Sequence, residues 1–500
     1  MSDLHSRPTQ ARKRSEITHW DRCVDVAVVG FGGAGACAAI EASDAGAQVM
    51  IFELASAAGG STALSSAEIY MGGDGGTRVQ QACGWQDSNR AMVDYLVASA
   101  GDQADLAKIN AYVAGSVAHF DWLVARGVVF KDTQYPQRAI MTLTDDCLLF
   151  TGSEQAHPYV ELAAPCPRGH NLQISGDNGG PLLMKIMAAN VAARGIAVEY
   201  NSRVLTLVVD DGQPGNPVCG LIVRIDMQEV AVEVHRGVVL CNGGFVMNSA
   251  MVKKYAPGLQ RSNTPIGNPG DTGSGILMGL GVGAAAINMH EGFVSLPFYP
   301  PASLTYGILV NAQGQRFINE DCYHGRVGAH VLQQAGGRIF LILGYEDYGD
   351  YETSAYLGAS VAAVADSIVE LETELALPEG QLQHNLDYYN HHAAAAVDPL
   401  FHKAKAWLKP IVGPYVALDC TPGRGAFFPY FTLGGLDTTP AGEALTPAGE
   451  VIAGLYAAGR TACGVPRRGD GYASGLSVGD ATFSGRMAGI AAAARQPTAS

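Results

Sequence analysis

The residues with the clearest chemical spacing lie near the start of the chain. Gly30, Gly32, Gly33, Ala34 and Gly35 sit in the run GFGGAG, and Glu53 follows 18 residues after Gly35. In that pattern Gly30 permits a tight turn and Gly32 lets backbone N–H groups approach a pyrophosphate. Gly35 lets a helix pack closely on a strand, and the acid accepts from a ribose hydroxyl pair. Such residues can hold a dinucleotide by its phosphates and sugar. A second group lies at the other end, where the loop GVPRRGDGYASG (464–475) leads into an apolar helical pattern from Leu476 to Ala493, with Ser477, Gly479 and Asp480 in its opening turns. A helix N-terminus aimed at a flavin ring stabilises negative charge on the reduced ring.

The elements that position these residues are legible around them. Val26, Val28 and Val29 precede the glycines as a strand, a helical pattern follows, and Val49 to Phe52 gives a second strand ending at Glu53. Strand, glycine turn, helix and strand are the context that gives GxGxxG its meaning. Directly after the acid comes a second glycine turn, Gly59, Gly60, Ser61 and Thr62, with Ser65, Ser66, Gly72 and Gly73 close behind. A nicotinamide domain normally continues with another crossover helix. A glycine and serine loop that stays beside the cofactor suits FAD, whose pyrophosphate and ribityl chain take backbone and hydroxyl donors.

With 500 residues, 48% of them apolar, 16% charged and 62 glycines, the chain reads as globular, turn-rich and long enough for two domains. A formal charge of −15 argues against a nucleic-acid or anionic-membrane surface. No apolar run approaches the roughly 18 residues of a membrane span. Residues 1–19, with Arg12, Lys13 and Arg14, read as a frayed N-terminal tail without a signal sequence. The ten cysteines include no CxxC pair, so no metal site is expected and reduced cytoplasmic thiols are the preferred reading.

Along the chain, 89–100, 106–126 and 182–193 read as helices. Residues 132–180, including Arg168 and His170, read as a long irregular cover over the cofactor or substrate. Residues 197–209 read as one strand with a hairpin partner at 218–223, and 237–245 as a buried strand whose Asn242, Gly243 and Gly244 point at the ligand. An apolar and aromatic stretch follows, with Phe293, Phe298 and Tyr299 as substrate-pocket candidates. Helices are expected at 320–334, 360–376 and 387–396. The expected organisation is α/β, a Rossmann-like FAD-binding domain over 20–285 and 411–495 with an inserted α+β cap, the catalytic domain, over 286–410.

Taken in order, GFGGAG with Glu53, GGST, NGGF, GQRFINE and GLYAAGR resemble the fumarate reductase and 3-ketosteroid dehydrogenase flavoproteins over about 24–495. The segments NEDCYHGR (319–326) and GYASG (471–475) look most like the Δ4-(5α)-dehydrogenases of that family. The resemblance implies FAD-dependent desaturation of a 3-oxosteroid, with loss of a C4 proton and a C5 hydride in steroid or sterol catabolism. Tyr323, Tyr472 and Ser474 would form the active site. Tyr472 would bind the carbonyl oxygen, and Ser474 would sit nearest the C4 proton, relayed through Tyr323 as proton acceptor. The cofactor contacts expected are the glycine-loop residues above, Glu53, Val204, Asn242, Gly243, Gly459, Arg460, Gly475 and Ser477. No histidine stands in the 59–66 loop, so the FAD is expected to be non-covalent. Electrons would leave for an external acceptor. The alternatives are a Δ1-dehydrogenase, a fumarate- or enoate-type reductase, and a flavin-bound sensor. Arg467 and Arg468 are the only support for the reductase. As surface charges they are solvated; at a pocket mouth they would read a substrate carboxylate.

Overall fold

The computed structural model describes residues 6–349, 351 and 357–497. Its main sheet has nine strands: β1 (Arg12–Lys13), β2 (Arg22–Val29), β3 (Val49–Phe52), β4 (Ala197–Glu199), β5 (Arg203–Val209), β6 (Val218–Ile225), β7 (Gln228–Leu240), β8 (Glu443–Leu445) and β9 (Val451–Ala457). The order β1-β5-β6-β7-β2-β3-β4 puts β2 inside the sheet, parallel to β7 on one side and β3 on the other. Val26, Val28 and Val29 are all buried, as a strand covered on both faces requires. The long β7 pairs antiparallel with β6 along its first half and parallel with β9 along its last residues, so one strand joins a hairpin to the nucleotide-binding part.

The helix α1 (Gly33–Asp44) follows β2 and packs against α2 (Gly179–Ala193) and α3 (Leu476–Ala494). At Gly30 the backbone has φ +101°, and a Cβ there would stand 2.4 Å from the Cys241 carbonyl oxygen; at Gly35 it would stand 1.9 Å from that of Gly30. No side chain fits at either place. Where α3 crosses α1, Gly485 and Gly489 lie against the backbone of Ala34 and Ala38, with room for no Cβ.

A four-stranded antiparallel sheet forms the cap, in the order Ile308–Asn311, Ile339–Gly344, Tyr415–Asp419 and Val361–Ala365. The helices Ile368–Glu374 and Gln381–Ala393 bury Leu371, Leu382 and Leu386 against Val310, Phe340 and Ile342 on one face of that sheet. Arg316 and Glu320 of GQRFINE are buried in an ion cluster with Asp398 and Lys403, and the Glu320 carboxylate also accepts from Leu309 N–H at 3.0 Å. That cluster fixes the turn from which Tyr323 emerges.

Four expectations are corrected. The segment 197–209 is two strands, because Asn201 takes φ +51° and sends β4 and β5 to opposite ends of the sheet. Residues 360–376 are a cap strand and then a helix; valines on the cap edge favour the strand, and Ser367 caps the helix by accepting from Glu370 N–H. The cap does not end at 410, since Tyr415–Asp419 pairs on both sides within its sheet. The chain instead returns through strands at 429–432 and 435–436, which pair with 292–294 and 286–287. Finally, residues 6–19 are not frayed: β1 pairs with Val208 and Val209, and Thr9 N–H donates to Leu277 O at 2.9 Å. The free edge of β5 offers backbone groups that β1 satisfies.

Candidate active site

One cavity of about 1030 Å³ runs from the N-terminal end of α1 to Tyr472 and Ser474. It sits at the carboxyl ends of the parallel strands, where a doubly wound sheet binds its ligand, and lies at the upper end of the roughly 300–1,000 Å³ common for ligand sites. Of the residues expected to hold a cofactor, Gly30, Gly32, Gly33, Ala34, Glu53, Gly60, Ser61, Thr62, Val204, Asn242, Gly243, Gly459, Arg460, Gly475 and Ser477 line it. Gly35 and Gly59 do not. Gly35 lies behind the turn, and Gly59 donates its N–H to Phe31 O at 2.9 Å, which ties the second glycine turn to the first.

Local hydrogen bonds hold this half of the site open. Glu53 accepts from Phe31 N–H at 2.6 Å and Ala55 N–H at 2.8 Å, which orients its carboxylate at the end of β3. Thr62 Oγ1 accepts from Gly33 N–H at 3.1 Å. Ser61 donates to Asp271 at 2.5 Å, and Arg460 reaches the same carboxylate at 3.4 Å.

At the other half Tyr472, Ser474, Phe293 and Phe431 line the cavity. The Tyr472 ring packs on Phe293 at 4.7 Å and edge-on to Phe431 at 5.6 Å between centroids, and its hydroxyl accepts from Ser477 N–H at 3.3 Å. Ser474 is held by its backbone, with its N–H on Thr151 O at 2.8 Å and its carbonyl accepting from Thr151 Oγ1 at 2.9 Å. The phenol of Tyr323 lies 2.6 Å from Ser474 Oγ. Tyr323 does not line the cavity; it stands behind the serine, its N–H bonded to Ser153 Oγ at 3.0 Å. Burial pushes both phenols up, Tyr323 well above the ordinary tyrosine value, so both remain neutral.

Two pocket candidates are displaced. Phe298 and Tyr299 do not line the cavity; they meet edge to face behind His324, whose backbone N–H donates to the Tyr299 hydroxyl at 3.2 Å. Of this apolar run Phe293, Ser295 and Pro297 reach the wall, while Phe298 and Tyr299 are buried behind it. Arg467 and Arg468 also lie outside the lining. Arg467 is buried on Asp105 at 2.8 Å, and Arg468 pairs with Asp470 at 3.3 Å. The reductase reading loses its support with them, and so does the carboxylate-reading role. In the 132–180 segment Ile140, Met141 and Asp177 reach the cavity. Arg168 instead lies in the interior, bonded through Nε and Nη2 to both oxygens of Asp87 at 2.7 Å.

Sequence reasoning missed Glu68, Asp177, Ser295, Phe427 and, as a pocket wall, Phe431. For Glu68 a signal existed, a lone acid in the apolar and small-residue run 63–73.

The FAD binding domain family matches residues 25–469. The chain belongs to this family of FAD-binding flavoproteins, which fits the Rossmann-like sheet, the glycine turns and the cap. Within it, the chain is 41% identical to the crystallised 3-ketosteroid-Δ4-(5α)-dehydrogenase of Rhodococcus jostii RHA1 in complex with 4-androstene-3,17-dione, covering 97% of this chain and 100% of that one with a TM-score of 0.91. It is 26% identical to the 3-oxo-5-alpha-steroid 4-dehydrogenase of Comamonas testosteroni, over 89% of this chain and 94% of that protein. It is 29% identical to the NADH:fumarate oxidoreductase of Klebsiella pneumoniae (strain 342) over 94% of this chain, but spans only 48% of that longer protein.

The residues present fit FAD. Gly32 has no atom within 3.8 Å of where a Cβ would stand, leaving room for phosphate at the end of α1. Asn242 lines the cavity with its buried Oδ1 unpartnered, an acceptor waiting for a donor. The cofactor is FAD. Among the described residues, no helix is long and apolar enough to cross a membrane, and no His, Cys, Asp and Glu cluster could hold a metal ion.

Proposed function

We propose that the protein is an FAD-dependent dehydrogenase of 3-oxosteroids, removing a C4 proton and a C5 hydride to leave a 3-oxo-4-ene in steroid or sterol catabolism. The observation that carries this reading is that Ser474 and Tyr472 line one cavity with the glycine turn while Tyr323, behind the wall, stands 2.6 Å from Ser474 Oγ. A C–H bond next to a ketone is weakly acidic, so the oxygen has to be stabilised as it gains enolate character. Tyr472 does this as a neutral donor in an apolar pocket, where a hydrogen bond is stronger than in water. Phe293, Phe431 and Pro297 give a flat apolar wall suited to a fused-ring ketone. Bound FAD supplies the hydride acceptor.

Ser474 is the hydroxyl that faces C4, and Tyr323 orients it from behind. A buried phenol whose ionised form is penalised serves as a donor to the serine better than as the resting place of a proton. We infer that Gly32, Gly33, Ser61, Thr62 and Asn242 serve the pyrophosphate and flavin, and Glu53 the ribose, a reading supported by their place in the cavity lining. We infer a cytoplasmic location, supported by ten unpaired thiols, and an external electron acceptor.

The test is anaerobic mixing of the yellow protein with 5α-androstane-3,17-dione. Bleaching with formation of a 4-ene-3-one, identified by its ultraviolet spectrum and mass, is the expected result. No bleaching, with rapid oxidation of the dithionite-reduced protein by an unsaturated acid, would sink the reading.

A further inference from the structure

The dehydrogenase reading leaves one question of proton balance open, because neither a serine nor a buried phenol retains a proton taken from carbon. Glu68 lines the same cavity as Ser474. It precedes the short strand Ile69–Tyr70, which is tied to the loop by Tyr70 N–H to Gly475 O at 3.1 Å. This sets Glu68 against the Ser474–Gly475 turn, where a Cβ at Gly475 would stand only 3.1 Å from the Glu68 carbonyl carbon. Glu68 is 3% exposed, lines the cavity, and has Oε1 buried without a partner. Burying a carboxyl with one oxygen unbonded is unfavourable, and such a group in a native site calls for a reason. Asp177 lines the same cavity and is itself exposed.

Resting on that dehydrogenase reading, we propose that Glu68 is the base on which the C4 proton comes to rest, reached through the Ser474 hydroxyl, with Asp177 as the exit to solvent. As the C4–H bond breaks, its proton joins Ser474 Oγ while the hydroxyl proton of Ser474 passes to the Glu68 carboxylate. The C4–H electron pair becomes the C4–C5 double bond, the C5 hydrogen leaves with its pair for bound FAD, and the ketosteroid is oxidised by two electrons. Glu68 ends as a carboxylic acid and releases its proton by way of Asp177. Tyr323, bonded to Ser474, keeps the hydroxyl aimed.

Burial pushes the Glu68 carboxyl up to about 8; the Ser474 hydroxyl opposes the rise and Asp177 adds to it. The titratable groups facing it are Asp177, Tyr323 and Tyr472. Only the ionised form accepts a proton, so bleaching by substrate speeds up as pH rises through about 8.

The test is single-turnover bleaching by 5α-androstane-3,17-dione from below to above that pH. Glu68→Gln is expected to lose the rising limb and about 10²-fold in rate with KM little changed, and Glu68→Asp to restore a limb. A Glu68→Gln protein with both rate and limb intact overturns the proposal. Where Glu68→Gln fails to hold FAD, Asp177→Asn decides: loss of the neighbouring charge moves the limb to lower pH, and an unmoved limb overturns the proposal. If no ketosteroid bleaches the wild type, the dehydrogenase reading falls instead. Infrared titration of the carboxyl band in the resting protein then tests the coupling alone. Ser474→Ala is expected to raise its midpoint, and an unchanged midpoint overturns the link.

Discussion

The Tyr323 hydroxyl and the Ser474 hydroxyl stand 2.6 Å apart across 151 residues of chain, one brought by the cap and the other by the last loop of the nucleotide-binding part. Tyr323→Phe removes the bond and keeps the ring packing. The expected result is a fall in kcat of about 10²-fold or more with KM little changed. Tyr472→Phe removes the hydroxyl proposed to donate to the ketone and is expected to lower kcat by about 10²–10³-fold. Stopped-flow bleaching separates both effects from binding.

Arg168 and Asp87 form a fully buried, doubly hydrogen-bonded pair. Asp87→Asn leaves the guanidinium without its counter-charge and is expected to destabilise by about 3–5 kcal/mol, read as a lowered unfolding midpoint in urea. Burial alone would raise the Asp87 carboxyl, but Arg168 and the Gly73 and Ser88 amides hold it below the usual range. A depressed folded value means the stabilisation is complete above about pH 4 and fades as pH falls through it. Wild type is therefore expected to lose stability on acidification, and the Asp87→Asn protein to lose less.

Gly35→Ala places a methyl 1.9 Å from the Gly30 carbonyl oxygen, backbone against backbone. Overpacking of this kind destabilises by about 1–3 kcal/mol or more. It also moves the turn that faces the cofactor, so loss of bound flavin per chain, measured by absorbance, is expected along with a lower melting temperature.

Arg468 is engaged by Asp470 outside the cavity lining. Arg468→Ala is expected to leave the KM ratio of acidic to neutral steroids unchanged. A selective rise for acids would mean that the side chain reaches the substrate.

Local patterns carried most of what the sequence disclosed. The helices at 89–100 and 106–125 match their apolar periodicity to within a residue, and Gly30 and Gly35 stand where sterics leave no alternative. What stayed hidden depends on distant partners. Tyr415–Asp419 belongs to the cap because of strands fifty or more residues before it, and β1 exists because β5 has a free edge. Phe298 and Phe431 are both aromatic and both buried, and only the turn of the chain puts one on the wall and the other behind it. Glu68 acquires its meaning from Ser474, a residue four hundred positions away that no local pattern links to it.

The close crossing of α1 and α3 ties the first helix after the glycine turn to the last helix of the chain. During synthesis α1 is made long before this neighbour, and β9, which pairs with β7, also follows it by hundreds of residues. Firm flavin capture is therefore expected only once α3 has been made. A chain cut short before α3 is expected to be colourless, however complete its glycine motif.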